Sequence, residues 1–212
     1  MAHHNPTKIL LSLPFFIQIK IMMSIAKHSV ESFQNVLTVF PSLGPAAKTP
    51  DVLKQLNFHE LTTKSLTNIL PYHNLLNLSL SVGNLEALYL RGMEEYFKNE
   101  NITQGLEYLH LAAQGFYDNA IYLYGIIMLS RGHPAIGIPM LDSLNWRDDK
   151  ARSDVCWQNI KTSLHGVQVK RLDIYITTYK ATRATIACHR NDMRRCEACY
   201  YFKQMKRFIF IM

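Results

Sequence analysis

The strongest chemical signal in this chain is Cys196-Glu-Ala-Cys199. Two thiolates at that spacing can reach one zinc ion from a single tight turn, and Cys188-His189 stands just upstream to supply a third or fourth ligand. Zinc is therefore the one cofactor worth testing for, with Cys196, Cys199, Cys188 and His189 as its candidate ligands. A second Cys-x-x-Cys is lacking, so a complete finger is not expected and an unliganded pair is the simpler reading. A redox role would need a βαβ setting, which the flanking sequence does not offer. The remaining cysteine is Cys156, and four cysteines in 212 residues fit a reduced compartment better than a disulfide scaffold. His-Glu-x-x-His, Gly-x-Ser-x-Gly, Walker and dinucleotide-binding patterns are all absent, and no nucleophile is paired with a base. The reading is of a protein that binds and does not catalyse.

Composition supports a packed core, with 48% apolar and 18% charged residues. Charge is uneven. From Lys150 onward there are 13 Lys and Arg against four acids, or +9, so the total of +7 leaves about −2 for residues 1–149. The basic residues are scattered rather than gathered into a stripe, which reads as an ordinary solvated region, with no nucleic-acid or membrane partner expected. Lys8, the apolar run from Ile9 to Ile17 and Ser24-Ile25-Ala26 loosely imitate a secretory leader, but Pro14 and Lys20 interrupt the pattern. The run is too short to span a bilayer.

The elements that would position a binding surface are helices. Residues 83–145 carry one hairpin written twice: Ala87, Tyr89, Leu90 and Gly92 fall on Ala120, Tyr122, Leu123 and Gly125 at an offset of 33. Gly105, Leu106 and Leu109 then fall near Gly137, Ile138 and Leu141 at an offset of 32. A period in the low thirties marks paired helices stacked as a solenoid. Asn84 and Asp118 are the expected N-caps, Gly115 the expected stop of a helix from Gln104 to Gln114, and the small residues the points of close approach. Tyr89, Tyr96, Tyr122 and Tyr124 are expected to line a groove that holds a target. Residues 59–82 read as a linker ending in a capping helix over Leu75–Leu80, since two hairpins cannot bury both open faces. Residues 146–212 read as a basic, cysteine-containing and partly helical region. Within it Cys156, Ile160, Leu164 and Val167 share a helical face, Leu172, Ile174 and Ile176 alternate like a strand, and the apolar finish has no evident role.

Residues 10–58 read as a small helical module. Phe16, Ile17, Ile21 and Ile25 recur at helical spacing, followed by Phe33, Val36, Leu37 and Phe40, and then Thr49-Pro50 opens a third piece with Val52, Leu53 and Leu56. Leu13-Pro14, an apolar helix, Ser29, Phe33-Gln-Asn-Val36 and Ala46-Ala47-Lys-Thr-Pro50-Asp-Val52-Leu53 together resemble a degenerate F-box. Phe15 and Phe16 depart from that pattern, where polar residues are usual, and so does Pro41, where Lys or Arg is usual. Gly83, Ala87 and Gly92, with Tyr108-Leu109 and Ala112-Ala113, resemble a SEL-type repeat, a relative of the tetratricopeptide repeat. A degenerate F-box followed by about two such repeats is similar to a family of plant F-box proteins. The resemblance implies an all-α fold and a substrate-recognition subunit of a cullin–RING ubiquitin ligase. Its partners would be the S-phase-kinase-associated adaptor with its cullin, and an unknown target, in the nucleus or cytoplasm. Leu13, Pro14, Ile17, Ile21 and Val36 would meet the adaptor. The alternative is a helical-repeat scaffold whose F-box has decayed and which has no ligase role.

Overall fold

A computed structural model describes residues 10, 12–185 and 196–210, and among these the chain is helical with no strand. The helices are α1 (Phe15–Ala26), α2 (Val30–Val39), α3 (Gly44–Ala47), α4 (Pro50–Lys54), α5 (His59–Thr62), α6 (His73–Ser81) and α7 (Leu85–Met93). They continue as α8 (Ile102–Gln114), α9 (Asp118–Ser130), α10 (Pro134–Asp142), α11 (Ala151–Ser163), α12 (Asp173–Thr185) and α13 (Glu197–Ile209). The all-α repeat fold expected from the sequence is what the chain adopts.

The core is organised around α9. Every residue from Asn119 to Ser130 is buried, because α8, α10, α11, α12 and α13 all pack on it. A helix apolar on all sides belongs in the middle of a bundle, not on its rim. The pairs α7/α8 and α9/α10 are the two hairpins of the repeat. Their crossings are equivalent: a Cβ on Gly105 would lie 2.7 Å from the Tyr96 backbone, and one on Gly137 would lie 2.8 Å from that of Leu129. Tyr96 and Leu129 are themselves 33 apart, whereas Gly105 and Gly137 are 32 apart. The extra residue of the first copy is absorbed by one π-helical stretch, Glu94–Lys98, which continues α7 with a wider turn.

The turns between these helices share one geometry. A residue of positive φ (Gly83, Glu100, Phe116, Gly132) ends each helix, and the next residue begins the following one. The N–H of that next residue returns to a carbonyl five back in Asn84, Tyr117 and His133, closing a Schellman-type cap. Asn101 reaches six back, to Glu95, because of the π turn. One expectation is met and one corrected. α8 stops at Gly115 as expected, but Gly115 has ordinary helical φ and is small because Leu85 Cδ2 would collide with an added Cβ, while Phe116 carries the left-handed backbone at φ 64. Tyr117, not Asp118, is the N-cap residue, and Asp118 instead pairs with Arg152 at 2.6 Å.

Phe116 is 83% exposed, so its ring contributes little that offsets a conformation L-residues avoid. Phe116→Gly should therefore stabilise the fold by about 0.5–1 kcal/mol, the relief of strain less the extra entropy of glycine. Thermal melting followed by circular dichroism checks it, with an upward shift of about 2 °C expected for a chain of this size.

The N-terminal helices are bolted to the repeat. Asn84, at the N-cap of α7, accepts the Ala87 N–H at 3.0 Å, and its Nδ2 lies within 2.8–3.2 Å of the carbonyl oxygens of Leu53, Lys54 and Leu56. Beside it the Phe58 N–H donates to Glu86 Oε2 at 2.6 Å. Loss of water on burial pushes the Glu86 carboxyl above its ordinary range, against the opposing effects of that N–H and of His59. Further round, Ser163 Oγ donates to the Thr62 carbonyl at 2.9 Å and Ser65 Oγ to the His165 carbonyl at 2.7 Å. Residues 59–82 thus fold as short helices, α5, a 3₁₀ stretch over Leu66–Tyr72 and α6, with Leu66, Ile69 and Leu76 in the core.

The region after α10 is also built in. Tyr122 OH donates to Gln204 Oε1 at 2.8 Å, and the rings of Trp146 and Tyr200 stack 3.7 Å apart. Asp142 accepts from Tyr201 OH, from Trp146 Nε1 at 2.8 Å and from Arg147, which also holds Glu197 at 2.7 Å. Desolvation raises the Asp142 carboxyl, but these three donors outweigh it and hold it below the usual range. The alternation of Leu172, Ile174 and Ile176, too short to decide by itself, resolves as helix: Ile174 and Ile176 lie on α12, which turns Tyr175 fully inward and leaves Ile174 exposed. The apolar finish is explained too, since Phe208 and Ile209 are fully buried.

Candidate functional site: protein-docking surfaces

The expected groove is absent in the form the sequence suggested. Tyr89, Tyr96, Tyr122 and Tyr124 are all buried, so none offers its ring to a partner. Tyr89 packs edge-on against Tyr117, Tyr96 OH pairs with Tyr175 OH, Tyr122 packs near Trp157, and Tyr124 stacks on His110. Burial raises the phenol pKa of all four. They are repeat-core residues, placed where a solenoid of this kind fills the space between its small ones.

Cys156 is shielded as well. Burial pushes the Cys156 thiol up to about 12, which keeps it protonated and unreactive. Cys196 is the N-cap residue of α13 and Cys199 is buried in its first turn, while Cys188 and His189 lie outside the described residues. Among the described residues no group of three or more His, Cys, Asp or Glu is gathered to hold a metal. Nor, among them, is any helix long and apolar enough to cross a membrane.

Among the described residues, two surfaces are candidates to meet another protein. The first is at the N-terminus. Pro14 occupies the N-cap of α1, its carbonyl accepting the Ile17 and Gln18 N–H groups at 2.9 and 3.2 Å. Gln18 Nε2 donates back to the Leu13 carbonyl at 2.9 Å, fixing the Leu13-Pro14 backbone ahead of the helix. The inward face of α1 is Met22 and Ala26, supported by Ile19, Met23 and Ile25. The apolar face spaced by Phe16, Ile17 and Ile21 is turned largely outward: Phe16 is 58% exposed, Phe15 52%, and Ile17 and Ile21 are half-buried. Val36 packs partly on the core, and Pro14 stands in solvent. The expected adaptor residues are thus at least partly accessible, and the exposed Phe15 and Phe16 add apolar surface beside them.

The second surface is a cleft of 560 Å³ lined by Leu129, Pro134, Ile138, Ala181, Phe202 and Met205 among others. It opens where the turn between α9 and α10 meets the α12/α13 pair. Nothing in the sequence marks it, because its walls come from three separate segments, residues 129–138, 177–182 and 198–205.

Comparison with known proteins places these surfaces in context. Residues 71–165 match a family described as plant tetratrico peptide repeats. An F-box protein of Arabidopsis thaliana is 29% identical over 146 residues, covering 67% of this chain and 89% of the relative. These matches fit a plant F-box protein with helical repeats. A putative F-box protein of the same plant is 27% identical over 125 residues, covering 57% of this chain and 40% of that relative. No solved structure matches. The plant F-box resemblance seen in the sequence therefore holds, and the repeat match runs from the end of the 3₁₀ stretch through α6 to α11.

Proposed function

We propose that this F-box protein is a substrate-recognition subunit of a cullin–RING ubiquitin ligase, acting in the nucleus or cytoplasm. The α1–α2 face would bind the S-phase-kinase-associated adaptor and through it the cullin, while the helical part binds a target protein. The chain itself catalyses nothing; it raises the effective concentration of the ubiquitin donor near the target. The observation that carries the reading is the Leu13-Pro14 start of α1 with Phe15 and Phe16 turned to solvent behind it. Adjacent phenylalanines left in water are a standing cost unless a partner covers them.

Isothermal titration with purified adaptor tests this. Wild-type chain should bind, and changing Leu13 and Pro14 together to Ala should weaken binding at least about tenfold, the loss of roughly 1.4 kcal/mol of anchor contacts. Phe16→Glu should do the same without touching the core, since its ring is exposed. Absence of adaptor binding by the wild type would leave the decayed-F-box scaffold as the better account.

A further inference from the structure

We infer that the cleft between the α9–α10 turn and the α12/α13 pair is a binding site for an uncharged, largely apolar small molecule carrying one hydrogen-bonding group. The inference goes beyond the ligase reading and does not depend on it.

The size fits. A volume of 560 Å³ falls within the roughly 300–1,000 Å³ of pockets that enclose a drug-sized molecule. Three separate segments wall it, which makes it a concavity and not one unpartnered helix face.

The lining selects against charge. No Asp, Glu, Lys, Arg or His belongs to it, and the Tyr201 phenol, pushed up to about 12 mainly by burial, stays neutral. An ion entering the cleft would give up water without meeting a counter-charge on its walls. Leu129, Pro134, Ile138, Phe202 and Met205 supply apolar contact instead. Stacking on Tyr179, with centroids 4.8 Å apart, holds the Phe202 ring in place, while the unbranched Met205 side chain can adapt to the shape it meets.

One polar group is left to orient a ligand. Thr177 and Thr182 donate to carbonyls one turn back on α12, at 3.1 and 2.8 Å, and Tyr201 OH donates to Asp142. Thr178 Oγ1 differs from these: it makes no hydrogen bond among the described residues, so both its donor and its acceptor are uncommitted. Thr178 is half-buried and stands beside the α9–α10 turn, since a Cβ on Gly132 would lie 3.6 Å from its hydroxyl oxygen. Apolar walls with a placed polar group are the general form of a small-ligand site.

The test uses the full chain and two dyes that share one skeleton: N-phenylnaphthylamine, which is neutral with a single N–H, and its anionic sulfonated derivative. Both brighten in apolar surroundings. Fluorescence titration should show the neutral dye binding saturably, and at least about tenfold more tightly than the sulfonate. Saturating neutral dye should also raise the melting temperature. Ala181→Trp on α12 and Ala198→Trp on α13 fill the cleft from exposed positions. Each should weaken binding of the neutral dye at least about tenfold, with melting unchanged in its absence. Thr178→Val keeps the shape, removes the hydroxyl, and should weaken binding about three- to tenfold. No saturable binding, equal or tighter binding of the sulfonate, or indifference to either tryptophan or to Thr178→Val would each overturn the inference.

Discussion

Replacing Asn84 by Ala is expected to destabilise the protein by about 3 kcal/mol. Two losses combine. The α7 cap is removed, at about 1 kcal/mol, and the carbonyls of Leu53, Lys54 and Leu56 lose their shared buried donor, at about 1–3 kcal/mol for groups left unsatisfied. Asn84→Asp makes the diagnosis sharp. At an exposed cap Asp serves as well as Asn, and near a helix N-terminus its charge is welcome. Here it would turn a carboxylate toward three carbonyl oxygens at a position only 4% exposed. It should therefore be at least as damaging as Ala at neutral pH, with partial recovery in mild acid, where the protonated carboxyl can donate once. Urea unfolding at two pH values measures this. An Asp variant as stable as wild type at pH 7 would show that Asn84 acts as a cap only.

The second large effect is expected at the helix crossings. Gly105→Ala and Gly137→Ala should each cost about 2–3 kcal/mol, because the new methyl meets the backbone of Tyr96 in one case and of Leu129 in the other, and neither can step aside. Gly115→Ala should stay within about 1 kcal/mol although its nearest contact is shorter still. That contact is the end of the Leu85 side chain, which can rotate away, whereas the other two meet backbone. The ordering, two severe glycines and one mild, is checked by chemical denaturation of the three variants. Equal effects at all three would mean that contact distance alone, and not what is contacted, sets the penalty.

These glycines also explain why the repeat could be read from the sequence. A stacking fold repeats its close approaches, so the small residues at 92 and 125, and at 105 and 137, recur with the period of the architecture. The drop in offset from 33 to 32 was visible as well, but its cause, the π turn over Glu94–Lys98, was not, because a widened turn has no residue signature. The tyrosines misled for a related reason. A tyrosine on a repeat helix can serve groove or core, and the decision belongs to neighbours far along the chain. In α9 that neighbour is α13, whose Gln204 accepts from Tyr122 across 82 residues. The same distance in sequence hid the cleft and the Asp142, Trp146, Arg147 and Tyr201 cluster. At the N-terminus the helix was legible but its rotation was not: Ile17, Ile21 and Ile25 share one spacing, Met22 and Ala26 another, and packing of α3 and α4 chose the second. A short alternation such as Leu172, Ile174 and Ile176 fits a strand or one side of a helix equally well, and Tyr175 and Tyr179, four apart and facing Phe208 and Phe202, settled it for helix.

The bonds from Ser163 to Thr62 and from Ser65 to His165 span 101 and 100 residues and have a consequence for how the protein is made. Helices α1 to α5 leave the ribosome before α11, yet part of what seals them is translated about a hundred residues later. At roughly 5–20 residues per second, that interval is about 5–20 s. During it the nascent N-terminal segment holds an open seam at Thr62, and its apolar side chains are exposed to chaperones before α11 arrives to close it.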